Sequence, residues 1–262
     1  MLFSEFIAIG LPDLFKVGMI RAILPRVTGD VAQAAVIGAG FFLCILCSYL
    51  LGSINTALIV SKCFFHDDVR KHGSGNPGTT NMLRTFGKKA ALLTLIGDMS
   101  KTALSILFAA FFFGFYYYYG VSAQDGFCYV AGLFSVLGHV FPIYYKFKGG
   151  KGVLSTATMV LILSPIPFAV LILLFIGLVA WTKYVSLGSV ASAVLYPVAL
   201  HATFNMIGCL QAGLISLSSI IIAILIVWCH RGNLERISNR TENKISFGKK
   251  KAEPEEDDDD EE

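Results

Sequence analysis

The chain has 262 residues, of which 55% are hydrophobic and 15% are charged, and its mean hydropathy is +0.67. This composition excludes an ordinary water-soluble enzyme, since soluble domains carry about 25% charged residues. Between Ala90 and His230 only seven residues carry a formal charge, and none of them is Arg or Glu. Such depletion is typical of segments that lie inside a membrane.

Charge is distributed unevenly along the chain. The formal net charge is +3, but nine of the eighteen acidic residues lie in the last eleven positions. Without those positions the chain has 21 basic and 9 acidic residues, a balance of +12. A strongly basic membrane protein favours anionic lipid at its surface or an anionic substrate in its site.

The predicted elements start with an N-terminal extension, residues 1–30. We interpret it as interfacial rather than as a cleaved signal peptide, because no basic stretch precedes its apolar residues. A transmembrane domain follows at 31–245, and residues 246–262 form a disordered acidic cytoplasmic tail. Apolar stretches suited to a bilayer core of about 30 Å predict seven helices, at 31–61, 90–113, 127–145, 153–164, 166–182, 186–204 and 212–229. The predicted fold class is therefore an all-α polytopic membrane protein.

Lys and Arg in the loops predict the orientation of these helices. The basic segments 62–89, 146–151 and 231–251 are all expected in the cytoplasm. Because seven is an odd number of crossings, the N-terminus is then outside and the C-terminus is cytoplasmic.

A glycine-rich polar stretch follows the first predicted span. It reads HGSGNPGTTN from His72 to Asn81, and Arg84 follows three residues later. Glycine permits positive φ, so consecutive amides can form an anion-binding nest to which hydroxyls and Arg84 add donors and charge. The alternative is an ordinary polar turn between helices. A Walker A loop is excluded, because no G-K-[ST] sequence occurs.

A second cluster, KFKGGKGV, covers Lys146 to Val153, between the third and fourth predicted helices. Open amides at a helix N-terminus act together with lysine ammonium groups, which predicts another anion site. The alternative is a topology anchor that obeys the positive-inside rule.

A third cluster begins with HRGN at 230–233, where the last predicted helix ends. His230 can exchange a proton near neutral pH. The alternative is a set of snorkelling basic side chains that need no substrate.

Ionisable residues also occur within the predicted helices. Asp98 and Lys101 are three residues apart and therefore share a helix face, where they can pair either as part of a site or to orient the first loop. His139 and His201 are interpreted as hydrogen-bonded core histidines.

Asp98 and Asp125 are the only acids in the span region, so a carboxylate-held magnesium site cannot be built there. We expect no metal, cofactor or nucleic acid.

Two other classes of protein, a transporter and a serine hydrolase, predict sequence features that this chain does not have. A transporter for organic phosphate predicts sites near the membrane midplane, whereas the three clusters lie at one interface. A serine hydrolase predicts a G-x-S-x-G elbow, which the chain lacks.

Together, GSGNPGTTN with Arg84, KGGKGV and HRGN resemble the three motifs of the acyl-phosphate:glycerol-3-phosphate acyltransferase (PlsY) family in order, spacing and polytopic layout. The resemblance implies a multi-pass enzyme of the bacterial inner membrane with its active site at the cytoplasmic face. It would transfer a fatty acyl group from acyl phosphate to the 1-hydroxyl of glycerol 3-phosphate, forming lysophosphatidic acid and phosphate, the first step of phospholipid synthesis. The chain departs from the family pattern at Thr79, usually Ala, at Gly232, usually Glu, and by an extension at each terminus.

The resemblance also implies residue roles. The catalytic candidates are Ser74, Arg84, His230 and Asn233. The candidates for substrate binding, to which we add the helical pair, are Gly73, Gly75, Asn76, Gly78, Thr79, Thr80, Asn81, Lys148, Gly149, Gly150, Lys151, Gly152, Asp98 and Lys101.

The expected chemistry is direct transfer. Acyl phosphate is already activated, so positioning and charge stabilisation should dominate. Either His230 or a substrate phosphate oxygen takes the hydroxyl proton. An acyl-CoA-dependent enzyme resembles a family marked by H-x-x-x-x-D, and no histidine of this chain has Asp five positions on.

Overall fold

The structure is a computed structural model that describes residues 17–115, 117–118, 121–122, 126–208 and 213–245. Over these ranges the chain forms ten α-helices and one short antiparallel hairpin, β1 (Tyr117–Tyr118) and β2 (Val121–Ser122). The helices are α1 (Met19–Ile23), α2 (Asp30–Gly52), α3 (Thr56–Phe65), α4 (Thr79–Phe113), α5 (Phe127–Val140), α6 (Val153–Leu163), α7 (Pro165–Thr182), α8 (Val185–Met206), α9 (Gly213–Cys229) and α10 (Arg231–Ser238).

Several of these elements are long and apolar enough to cross a membrane. Five such stretches occur in the described residues, at Asp30–Phe65, Thr79–Phe113, Phe127–Tyr145, Pro165–Thr182 and Val185–Met206. α9 and α10 meet at 51° and form a sixth if they count as one broken span, whereas α6 has only 11 residues. The all-helical, multi-pass membrane fold is thus confirmed. The count of seven and the placement of the termini stay predictions.

The first predicted helix, 31–61, is divided in two. α2 ends at Gly52 and α3 begins at Thr56. Between them the side chain of Asn55 accepts a hydrogen bond of 3.0 Å from the amide of Leu58 and so caps α3. Asparagine is among the best N-cap residues, but its signal was hidden inside an uncharged apolar run.

α5 lies at the centre of the bundle, and eleven of its fourteen residues are buried. It packs against α2, α4, α6 and α9. A Cβ atom at Gly52 would lie 2.2 Å from the Ser135 carbonyl oxygen, and one at Gly138 would lie 2.3 Å from that of Tyr49. The two glycines therefore let the backbones of α2 and α5 touch, as small residues do between membrane helices.

Part of the predicted N-terminal extension packs onto this bundle. Ile20 of α1 is 3% exposed and belongs to the same core cluster as Phe113. Residues 1–16, which hold the rest of the extension, and the predicted disordered tail 246–262 lie outside the described residues.

Candidate active site

One cavity of about 480 Å³ brings the three sequence clusters together. Its polar end, which we call the polar mouth, is lined by Ser74, Asn76, Thr79, Thr80, Arg84, Lys151, Ser186, His230, Asn233, Arg236, Glu242 and Asn243. Its apolar end, the apolar channel, is lined from α6, α7 and α8 by Ala157, Val160, Phe168, Leu171, Ile172, Phe175, Ala193 and Tyr196. Residues more than 150 positions apart thus share one site.

The glycine-rich loop is held in shape by Asn81. Its Oδ1 accepts from the Ser74 amide at 3.0 Å, and its Nδ2 donates to the carbonyls of Val69 at 3.2 Å and His72 at 3.0 Å. Asn81 lines the cavity and is 2% exposed. Because these bonds occupy both ends of its amide, we assign Asn81 to the loop rather than to the substrate.

The predicted backbone nest is only partly available. Gly73 and Gly75 have positive φ as expected, at 57° and 69°. However, the Ser74 amide is bonded to Asn81, the Gly75 amide to the His72 carbonyl at 2.9 Å, and the Gly78 amide to the Asn76 carbonyl at 2.9 Å. The tight turn uses these three amides internally, and anion binding by the loop stays a prediction.

The N-terminus of α4 supplies the free donors instead. Gly78 is its N-cap and offers no side chain to cap it. The hydroxyl of Thr79 is buried with no hydrogen-bond partner among the described residues. One turn later, Arg84 lines the cavity, and in the described ranges it makes no hydrogen bond or ion pair. This helix start therefore directs a positive dipole end and a free guanidinium toward the mouth.

The second cluster places one lysine in the cavity. The Lys151 ammonium donates to Oδ1 of Asn233, which joins the second cluster to the third. Lys148 is exposed and is not among the cavity-lining residues. The fold thus brings Lys151, and not Lys148, to the predicted site.

Two glycines of this cluster are required by close packing. A Cβ atom at Gly149 would lie 2.0 Å from the His139 carbonyl oxygen, and one at Gly150 would lie 2.2 Å from Nε2 of His139. The Gly150 amide also donates to the His139 carbonyl at 3.1 Å. These glycines fix the loop against α5, which positions Lys151 and Gly152 next to them.

The intramembrane pair was predicted correctly as a pair. The Lys101 ammonium lies 2.9 Å from Oδ1 of Asp98, 2.7 Å from the Ile54 carbonyl and 2.8 Å from Nδ1 of His139. The Ile54 carbonyl accepts a hydrogen bond from this ammonium, whereas Oδ1 of Asp98 is held in an ion pair and has no hydrogen-bond partner among the described residues. These contacts hold Lys101 inside the bundle, where it is 4% exposed, whereas Asp98 and His139 line the cavity.

His230 lies at the junction of α9 and α10 and is 3% exposed. Its Nδ1 is 2.7 Å from the Ile226 carbonyl oxygen, which can only accept, so Nδ1 carries the hydrogen. The neutral ring then has a lone pair at Nε2. This tautomer suits a general base.

Glu242 ties the third cluster to α8. Its carboxylate accepts from Asn233 Nδ2 at 2.6 Å, from Ser186 Oγ at 2.8 Å and from Arg236 Nε at 2.8 Å. Burial by itself raises the pKa of Glu242, but these hydrogen bonds outweigh it and hold the pKa below its ordinary value. Glu242 therefore stays ionised at neutral pH and fixes the Asn233 amide, so that Oδ1 faces Lys151.

Burial and the nearby Glu242 carboxylate also shift the pKa of Lys151. Burial lowers its pKa below the ordinary value of 10.5, and the Glu242 carboxylate opposes that shift. Its ammonium thus loses its proton more readily than a surface lysine does, which links binding at the mouth to alkaline pH.

The apolar channel ends on a packed floor. Tyr196 lines the cavity and is 1% exposed. Next to it, the Tyr129 hydroxyl lies 2.8 Å from Ser164 Oγ and donates to the Leu163 carbonyl at 3.1 Å. From Ser186 at the mouth, α8 rises about 15 Å to Tyr196. A chain that enters from the mouth and follows α8 therefore meets the buried Tyr196 side chain after about 15 Å.

Sequence reasoning missed part of the site and misplaced one histidine. Ser186, Ser189 and Ser192 all line the cavity, and their spacing of three on one helix was a usable signal. Arg236 and Glu242 lie in the basic segment 231–251, and neither of them had a predicted role in the site. The prediction that His201 is a core histidine is wrong, since it is exposed on α8 and bonds to Asn205 at 3.1 Å.

Comparisons with known proteins agree with this geometry. A family model described as glycerol-3-phosphate acyltransferase matches residues 42–240. The chain is 39% identical over 217 residues to glycerol-3-phosphate acyltransferase 2 of Bacillus cereus, covering 80% of this chain and 97% of that protein. It is 40% identical over 209 residues to glycerol-3-phosphate acyltransferase of Streptococcus thermophilus, covering 79% and 93%.

Solved structures give the same result. The crystal structure of PlsY, an integral membrane glycerol 3-phosphate acyltransferase, in its glycerol 3-phosphate form has a TM-score of 0.68 at 30% identity, covering 79% of this chain and 96% of that chain. Its lysophosphatidic acid form has a TM-score of 0.66 at 30% identity, covering 79% and 95%. From the matched model, the relatives and the shared fold, we conclude that this chain belongs to the glycerol-3-phosphate acyltransferase family.

Proposed function

We propose that this protein transfers a fatty acyl group from acyl phosphate to the 1-hydroxyl of glycerol 3-phosphate, forming lysophosphatidic acid and phosphate. The observation that carries the proposal is a single cavity with a cationic mouth and an apolar channel. This shape fits two phosphate-bearing substrates at one end and a fatty chain at the other.

The charges at the mouth suit that load. Each substrate phosphate carries about −1.5 to −2 at neutral pH. Arg84, Lys151 and Arg236 supply three cations, and Glu242 removes one positive charge from the sum. The N-termini of α4 and α6 add partial positive charge at the same place. We assign the acceptor phosphate to Arg84 and Lys151, with Ser74 and Asn233 as further contacts.

His230 is the proposed general base. Its Nε2 takes the proton of the 1-hydroxyl as that oxygen attacks the acyl carbonyl carbon, and phosphate leaves. Such catalysis is worth about 10²- to 10⁴-fold in rate. The second route, in which a substrate phosphate oxygen takes the proton, predicts that His230→Gln keeps its kcat. A loss in that range supports His230.

The donor is tested directly by parallel assays with two acyl donors. Purified protein receives palmitoyl phosphate and palmitoyl-CoA in separate reactions, each with labelled glycerol 3-phosphate. We expect labelled lysophosphatidic acid only with palmitoyl phosphate. Product formed only with palmitoyl-CoA would overturn the donor assignment, although the family membership would stand.

We further propose that the site faces the cytoplasm of a bacterial cytoplasmic (inner) membrane, with the N-terminus outside and membrane lipid around the bundle. Lys148 is exposed beside the mouth, so Lys148→Cys, made in a variant without the native cysteines, reports the side. A membrane-impermeant maleimide should label it in inverted vesicles and leave it unlabelled in intact cells. The reverse pattern would place the site outside.

A further inference from the structure

Thr156 has a feature that the roles assigned above do not use. It lies in the first turn of α6, is 8% exposed and lines the cavity. Its hydroxyl oxygen is buried and has no hydrogen-bond partner among the described residues. Buried hydroxyls in native proteins are nearly always paired, so an unpaired one that lines a cavity points to a partner supplied by a ligand.

The hydroxyls of Ser48, Thr79, Ser155 and Tyr196 are also buried without a hydrogen-bond partner among the described residues, whereas other helical hydroxyls are bonded within their own helix. Thr158, two residues after Thr156, donates to the Leu154 carbonyl at 2.9 Å, and Ser189 on the facing helix donates to the Val185 carbonyl at 2.9 Å. Bonding to the carbonyl four residues earlier is the usual local solution for Ser and Thr in helices. At Thr156 that carbonyl, on Gly152, accepts from the backbone amide at 2.8 Å but not from the hydroxyl.

Thr156 also lies at the boundary between the two ends of the cavity. Gly152 and Lys151, one turn earlier, belong to the mouth, and Val160, one turn deeper on the same helix face, belongs to the channel. In a donor molecule the atom at such a boundary is the acyl carbonyl oxygen, which lies between a phosphate and a hydrocarbon chain. That oxygen can only accept a hydrogen bond, and the Thr156 hydroxyl can donate one.

We propose that the Thr156 hydroxyl donates a hydrogen bond to the acyl carbonyl oxygen of the donor and to the oxyanion that forms from it. This inference rests on the proposed acyl-phosphate reaction. The 1-hydroxyl oxygen of glycerol 3-phosphate bonds to the carbonyl carbon, its proton passes to the base, and the carbonyl π electrons move onto the oxygen. When the oxyanion collapses, the bond from carbon to the phosphate oxygen breaks and phosphate leaves with that electron pair. Thr156 keeps its proton throughout.

The test compares three variants of the full-length, reconstituted enzyme. Thr156→Val removes the donor and keeps the shape, Thr156→Ser keeps the donor, and Thr158→Val removes another buried hydroxyl that is already bonded within the helix. Loss of one oxyanion donor typically lowers kcat by about 10²- to 10³-fold. We expect that loss in Thr156→Val with nearly unchanged KM for both substrates, near wild-type kcat in Thr156→Ser, and unchanged kcat in Thr158→Val.

A non-reactive ligand separates chemistry from packing. Hexadecyl phosphate has the phosphate and the chain but no carbonyl, so its inhibition constant should be the same for wild type and Thr156→Val. Unchanged kcat in Thr156→Val, or an equal loss in Thr158→Val, would overturn the inference. If the wild type itself fails to use palmitoyl phosphate, the proposed donor fails, and that result is visible before any variant is compared.

Discussion

The polar mouth and the apolar channel belong to one cavity but use the chain in different ways. The mouth collects side chains from three distant segments, and the second and third are joined by specific bonds, from Lys151 to Asn233 and from Asn233 to Glu242. The channel is made by three helices that follow one another in the chain, α6, α7 and α8, with apolar side chains such as Val160 and Leu171. A single substitution in the mouth should therefore lower turnover sharply, whereas a substitution in the channel should change the preference for acyl-chain length.

The largest effect is expected at Lys151. Its ammonium is proposed to pair with the phosphate of glycerol 3-phosphate. Truncating one partner of a buried, hydrogen-bonded charge pair costs about 2–5 kcal/mol, or about thirtyfold to several thousandfold in kcat/KM. Lys151→Met should lose activity in this range, measured with glycerol 3-phosphate as the varied substrate. The matched control is Lys148→Met, which removes an exposed lysine of the same cluster and should stay near wild type. Equal losses would mean that the cluster acts only through its net charge.

Arg84→Ala should have the next largest effect. Its guanidinium lines the mouth and makes no hydrogen bond or ion pair in the described ranges, so its removal breaks no contact of the fold. A hydrogen bond to a charged group is worth about 1.5–3 kcal/mol, so KM for glycerol 3-phosphate should rise about ten- to a hundredfold. The thermal unfolding midpoint should not change. Unchanged kinetics would remove Arg84 from the acceptor site.

A pH profile tests whether the charge of Lys151 is needed to bind glycerol 3-phosphate. Because burial lowers the pKa of Lys151, its ammonium loses its proton as pH rises through a value below 10.5. KM for glycerol 3-phosphate should therefore rise several-fold on the alkaline side. In Lys151→Arg the guanidinium stays charged, so the rise should move to higher pH. A profile identical to that of wild type would assign the alkaline limb to another group.

The smallest effect is expected in the channel. Tyr196→Ala opens the floor, and each further methylene buried is worth about 0.8 kcal/mol, or about fourfold in kcat/KM. Heptadecanoyl phosphate is one methylene longer than palmitoyl phosphate, so the ratio of their turnover should rise by up to about fourfold, and KM for glycerol 3-phosphate should stay constant. Val198→Ala, on the lipid-exposed side of the same helix, should leave the ratio unchanged. A changed acceptor KM would show that mouth and channel are coupled.

The helical stretches were predictable because their signal is local. Apolar runs bounded by glycine, proline and basic residues predicted α7 within one residue at its start, Pro165, and correctly at its end, Thr182. The break at Asn55 was missed, since a cap inside an uncharged run shows no contrast in composition. Spacing also predicted the ion pair of Asp98 and Lys101, because residues three apart share a helix face.

The sequence motifs named most residues of the site, but they did not show what each residue does there. The motifs nominated Lys148 and Lys151 equally, and only packing of the glycine loop against His139 directs Lys151 inward. They nominated Asn81 for substrate, although its amide holds the loop. Glu242 had no predicted role within the basic segment 231–251, because its partner Ser186 lies 56 positions away.

By itself, the amino-acid sequence determined that this chain is a multi-pass helical membrane protein with three clusters of glycine and basic residues suited to binding anions. Hydrophobicity and short-range spacing specify helices and turns before any distant contact forms. Only the tertiary structure decided which side chains of each cluster share one cavity, and which buried hydroxyls of the described residues are left without a hydrogen-bond partner. Those outcomes depend on helix rotation and close backbone approach, and both are set by packing between segments that are remote along the chain.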